Sequence, residues 1–252
     1  MPRARNLRYT LSLGFILLGF WAVLAIDPAD RSTWLLENAL FVTFVLGLAI
    51  SYRWLTFSRV SYTLIFIFLC LHAVGAHFTY SEVPYDRWIS TLTGVSVNEF
   101  MGWERNHYDR MVHFLFGALL GYPARELFVR VADTRGFWGY FMPLIFMMAA
   151  SMVYELIEWW AAITFGGDLG IHYLGTQGDE WDGHRDMALA SLGALLAMII
   201  TAAINLALQR DFALEWQHSL RVKGLEPLGE VALVGRWRDW RNSKRQGRQG
   251  SL

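Results

Sequence analysis

Apolar residues in this chain gather in unbroken blocks of about twenty, separated by short polar stretches, instead of recurring every third or fourth position against a polar face. A hydrocarbon core of about 30 Å takes about 20 apolar residues to cross as a helix. Six blocks qualify, at about 8–26, 35–53, 60–79, 109–129, 138–164 and 186–208, and they predict an all-α bundle of six transmembrane helices. Residues 1–208 then form one six-helix membrane domain. From about Asp211 the apolar blocks stop, and 209–252 reads as a basic tail ending in Arg236, Arg238, Arg241, Lys244, Arg245 and Arg248, interleaved with Trp237 and Trp240.

Charge orients the bundle. With the N-terminus cytoplasmic, the inner segments hold 17 of the 22 basic residues, and the outer loops hold only Arg31, Arg87, Arg105, Arg110 and Arg185. Most acids fall outside, which is the positive-inside pattern of an N-in, C-in protein, hidden by a net charge of zero. The tail is suited to lie on anionic cytoplasmic lipid or simply to serve as a retention tail. Arg3, Arg5 and Arg8 ahead of Leu11–Leu24 also suit a cleavable signal peptide, but the block exceeds a usual signal core and is read as a true helix. Cys70, the single cysteine, lies inside the third block and forms no intrachain disulfide. Gly-rich phosphate loops, nucleophile elbows and His-Glu-x-x-His motifs are missing from the sequence, and nothing in it suits a nucleic-acid partner.

The chemistry lies in polar residues embedded near the outer ends of the third to sixth blocks. Glu155 and Glu158 sit one helical turn apart in mid-block, where an ionised carboxylate costs several kcal/mol unless a cation, a proton or water compensates it. Asn106, Asp109 and His113, spaced i, i+3 and i+7, are expected on one helix face. His72 lies below the outer surface of the third block, with His77 nearer the rim, and Asp182 and Asp186 open the sixth. Asp109, Asp182 and Asp186 also suit helix capping, and Arg105, Arg110 and Arg185 offer salt-bridge partners. A histidine with several carboxylates in a bundle suits a divalent metal: zinc, manganese or iron, or magnesium if oxygen dominates. The expected ligands are His113, Glu155 and Asp186, with Asp182 and His72 as further ligands. Asp109 is expected as a catalytic or orienting carboxylate and Glu158 as the general base. Two outer connections, 80–108 and the glycine-rich 165–185, are long enough to cover such a site, the second as a lid. Gly117 with Gly121, and Gly193 with Ala197, form small-xxx-small pairs that let helices approach closely.

The block Asp109-Arg110-Met111-Val112-His113-Phe114, then Glu155, then Asp182, Asp186-Met187-Ala188-Leu189 and Gly193-Ala194 resembles the VanZ-like superfamily of small bacterial membrane proteins. Arg105-Asn106-His107-Tyr108-Asp109-Arg110, Tyr154-Glu155-Leu156-Ile157-Glu158-Trp159 and Gly175-Thr176-Gln177-Gly178-Asp179 are similar to the YjdF-like bacterial inner-membrane proteins over roughly 8–208. Glu158 stands where many VanZ-like members carry Gln. The resemblance implies a multi-pass inner-membrane protein with its site at these residues, and supplies no reaction. From the residues, the leading expectation is a metal-dependent hydrolase or transferase acting at the outer leaflet on a membrane lipid or lipid-linked substrate. Two other classes fit the same carboxylates: a proton- or cation-coupled transporter or channel using Glu155 and Glu158, and a structural protein whose polar groups form a salt-bridge network.

Overall fold

The computed structural model describes residues 2–167, 176–209, 211–223 and 234–242, with side chains from Asn6 onward. It is helical throughout those residues apart from turns and connections, with long helices at all six apolar blocks. These are α1 (Pro2–Leu24), α2 (Arg31–Ser51), α3 (Arg59–His77), α6 (Tyr108–Val131), α7 (Trp138–Phe165) and α8 (Asp182–Leu208). The connection from α3 to α6 holds two short helices, α4 (Tyr85–Thr93) and α5 (Val97–Met101), and α9 (Phe212–Ser219) follows α8. Five of the long helices, all but α6, are long and apolar enough to cross a membrane. α6 carries Asp109, Arg110, Arg125, Glu126 and Arg130, and lies packed against α3, α7 and α8.

Local chemistry sets where the helices begin. Asp30 caps α2 by accepting from the Thr33 N–H at 2.6 Å, and Ser58 caps α3 through Ser61, satisfying donors that a helix start leaves open. The long helices alternate in direction. At one end, the α1 carboxyl terminus meets the α3 terminus through His77 Nδ1 and the Leu24 carbonyl, 2.8 Å apart, and the starts of α6 and α8 meet through Arg105 and Asp182. At the other end, Glu126 of α6 accepts from the Ser58 N–H and Ser61 Oγ, and the Tyr140 hydroxyl of α7 accepts from Asn205 of α8.

α6 and α8 make the most extensive helix pairing. Gly117 lies against the backbone of Ala190 and Ala194, and Gly193 against the backbone of Phe114 and Ala118, so a Cβ at either glycine would overlap main-chain atoms of the facing helix. In lipid, where the hydrophobic effect does not drive helices together, this backbone-to-backbone packing is a principal source of association. A core cluster including Leu17, Phe41, Leu69, Leu120, Met147 and Ala194 draws one or more residues from each of the six long helices. Outward, Phe15, Leu18, Trp159, Trp160, Ile200 and Leu206 remain exposed, as residues facing lipid do.

The 80–108 connection is an ordered cap: Asp86 accepts from the Asn98 N–H and Ser96 Oγ, and Tyr85 donates to Asn98. The first part of the tail is docked, since α9 receives the Gly136 and Phe137 N–H groups on Glu215 and Ser219. Of the predicted glycine-rich lid, 168–175 lies outside the described residues.

Candidate metal centre and its relatives

The polar residues collect at the end where α3 and α7 finish and α6 and α8 begin, in two layers. The upper layer is a set of ion pairs. Arg105 holds Asp182 with two bonds, 2.7 and 3.3 Å, and also donates to the Thr176 carbonyl. Arg110 bonds Asp179 and Asp182, and Arg185 bonds Asp179. Asn106 and Gln177 exchange hydrogen bonds, Asn106 N–H to Gln177 Oε1 at 3.0 Å and Gln177 Nε2 to the Asn106 carbonyl at 3.1 Å. Segment 176–182 is thereby fastened across the start of α6. Burial opposes the ionisation of Asp179, but the Trp181 N–H and the guanidinium groups of Arg185 and Arg110 outweigh it and hold the carboxyl below its usual range.

Beneath the ion pairs lies a layer of acids that, among the described residues, have His113 and no lysine or arginine as ion-pair partner. Asp109 and His113, four residues apart on α6, bring Oδ1 and Nε2 to 3.6 Å. Glu155 reaches from α7 to put Oε1 3.6 Å from the same nitrogen, while its other oxygen lies where a Cβ on Gly183 would be, a close approach that a glycine at the start of α8 permits. Asp186 enters from α8. Ligand atoms of Asp109, His113 and Asp186 all lie within 4.8 Å of one another, and among the described residues this is the group compact enough to hold a metal ion. Asp186 is 2% exposed and its Oδ1 has no hydrogen-bond partner among the described residues; nor has Glu155 Oε1. Buried carboxylates left so are costly unless a cation or proton neutralises them.

The other predicted residues are placed around this group. Asp182 belongs to the ion-pair layer, its carboxylate taken by two arginines. His72 is buried, its ring stacked on Phe41 and its Nδ1 2.5 Å from the Tyr80 hydroxyl. Glu158, half-buried, lies one turn beyond Tyr154 on α7, and the Tyr154 hydroxyl donates to Glu37 Oε2 at 3.2 Å. Asn106 precedes α6 instead of sharing its face, and bonds the Val83 carbonyl.

Glu37 corrects the reading that embedded polar groups start at the third block. It is 3% exposed on α2, beside Asn38, which accepts from Trp21. The signal was present as an acid three positions inside the second apolar block, so near its start that position alone does not separate an interfacial from an embedded side chain.

Residues 9–206 match the family described as "Predicted membrane protein (DUF2238)". The chain belongs to this family. It is 37% identical over 190 residues to inner membrane protein YjdF of Escherichia coli (strain K12), covering 75% of this chain and 87% of that relative. No solved structure matches. The match takes in the YjdF-like motifs, all six long helices and the whole two-layer site, whereas the VanZ-like likeness rests on its motif residues alone. The protein is a multi-pass membrane protein, and the relative's name agrees with the expected inner-membrane location.

Proposed function

We propose that this protein is a membrane-embedded, divalent-metal-dependent hydrolase or transferase, with the ion held by Asp109, His113 and Asp186. The observation that carries the reading is the buried, unpartnered Asp186 carboxylate facing an imidazole and a second carboxylate. Ligand atoms across an ion with bonds of about 2.0–2.6 Å stand at most about 4–5 Å apart, which the group's spread satisfies. One nitrogen among carboxylate oxygens suits zinc, manganese or iron.

A bound ion would neutralise two of the acids and polarise a water or a substrate oxygen. Glu155, next to His113 and with Oε1 unpartnered, is placed to take the proton of an attacking water, a role the spacing alone assigned to Glu158. Glu37, bonded by the Tyr154 hydroxyl, and Glu158 lie near it as further acids. The ion-pair layer closes the site from the aqueous side, and the positive-inside pattern puts it at the outer leaflet.

Elemental analysis of the detergent-purified protein tests this. Wild type should carry near-stoichiometric metal and lose it in His113→Ala and Asp186→Ala, while Asp182→Asn should keep it and lose up to about 3 kcal/mol of stability through its broken arginine pair. Protein that stays metal-free after incubation with zinc, manganese and iron would sink the proposal.

A further inference from the structure

A cavity of about 670 Å³ starts at Asp109 and His113 and runs down the bundle between α2, α3, α6 and α7 to Leu55, Phe57 and Leu127. Along α6 this is eighteen residues, or about 27 Å at 1.5 Å per residue, close to the hydrocarbon thickness of about 30 Å. Its polar groups crowd the metal-centre end. Lower down, Thr43 and Ser51 turn their hydroxyls back to carbonyls of their own helix, at 2.8 and 3.1 Å, leaving the walls apolar. Phe44 on α2 and Phe146 and Val153 on α7 line the cavity and are also 40%, 44% and 49% exposed, so it opens sideways between these two helices into the lipid. α2 and α7 are bridged at the upper end by the Tyr154–Glu37 hydrogen bond.

We propose that this cleft holds the chain of a single-chain, phosphate-headed lipid of the polyisoprenyl phosphate class, with its head at the Asp109–His113 end. The choice of a phosphate head rests on the metal reading, because only an ion there makes the acidic end attractive to an anion. Length selects the chain. A tail confined to one leaflet reaches about 15 Å, half the hydrocarbon core, whereas the cleft continues past the midplane. A protein segment in the same cleft is the alternative that crosslinking to another polypeptide would reveal. The volume lies within the range of about 300–1,000 Å³ typical of ligand sites. The lipid slides in sideways between α2 and α7, and its head stops under the ion-pair layer.

The test is photo-crosslinking in nanodiscs of phosphatidylethanolamine and phosphatidylglycerol, using a polyisoprenyl phosphate with a benzophenone at its far end. A phosphatidylglycerol with a mid-chain diazirine runs in parallel. The isoprenyl probe should label residues near Leu55, Phe57 and Leu127 in about tenfold excess over lipid-facing Ile199 and Ile200. Gly47→Trp should abolish that excess without changing metal content. Gly47 borders the cleft and a Cβ there meets nothing within 4 Å; Ala150→Phe gives a second plug from α7, so the test does not depend on one variant. Equal labelling of cleft and outer surface, cleft labelling by phosphatidylglycerol alone, or crosslinks to another polypeptide would each overturn the proposal. Metal-free protein that still labels at the cleft floor would defeat the ion reading and leave the chain site standing, and metal-loaded protein without cleft labelling would do the reverse.

Discussion

Asp179 is the residue on which the ion-pair layer turns, since Arg110 and Arg185 both reach it and it accepts the Trp181 N–H. Its carboxyl is held below the ordinary range, so ionised Asp179 stabilises the fastened segment at all pH values above that range. The contribution is lost as pH falls through the lower, folded value. Amide hydrogen exchange of residues 176–181 should therefore quicken, relative to the bundle, on acidification from pH 7 to below about 4. In Asp179→Asn it should be fast at pH 7 already and change little with acid. Single residues were unevenly legible in the sequence. Asp109, His113, Glu155 and Asp186 stood out because charge inside an apolar block is costly wherever the block folds. Glu37 did not, because its hydrogen-bond partner Tyr154 lies 117 positions away, and no local pattern carries that contact. The split between paired and unpaired acids was equally hidden: Asp182 and Asp186 are one turn apart on α8, and only the arginines of a distant segment separate their roles.

At the scale of elements, the six apolar blocks fell within a few residues of the six long helices, because the length needed to cross hydrocarbon leaves little freedom. α4 and α5 escaped notice since they are short and have no buried residues, and they owe their order to side-chain bonds such as Asp86 to Asn98. The small-xxx-small pairs marked the α6–α8 contact correctly, and the structure adds that the glycines insert reciprocally. Gly193→Leu should cost more than about 3 kcal/mol, above the usual overpacking range, because the obstacle is backbone and cannot rotate away. Gly19→Leu, on the open face of α1 with nothing within 4 Å, should be nearly neutral. Thermal unfolding of both variants in the same detergent checks the contrast.

For the molecule as a whole, contacts at the two ends show the alternation of the helices, and the distribution of basic residues predicts which end faces the cytoplasm. A reporter fused after Leu252 should be active in its cytoplasmic form only; a periplasmic signal would turn the site to the inner leaflet. The two ends differ in how they treat acid. Glu126, at the end opposite the site, is fully engaged by Ser58, Ser61 and Arg130, while the acids around His113 are left bare beneath an arginine roof.

The reciprocal glycines have a bearing on chemistry as well as on packing. Gly117 lies one turn below His113, and Gly193 two turns below Asp186, so the gap they set between α6 and α8 also sets the distance from Asp186 to the Asp109–His113 pair. The contact acts as a calliper whose jaws are the carboxylates and imidazole of the candidate site and whose stop is a missing methyl group. Small ions need bonds of about 2.0–2.2 Å and calcium about 2.3–2.6 Å. If the proposed ion is held there, widening the gap by one methyl would shift preference toward the larger ion, so a residue remote from the candidate ligands would influence which ion fits.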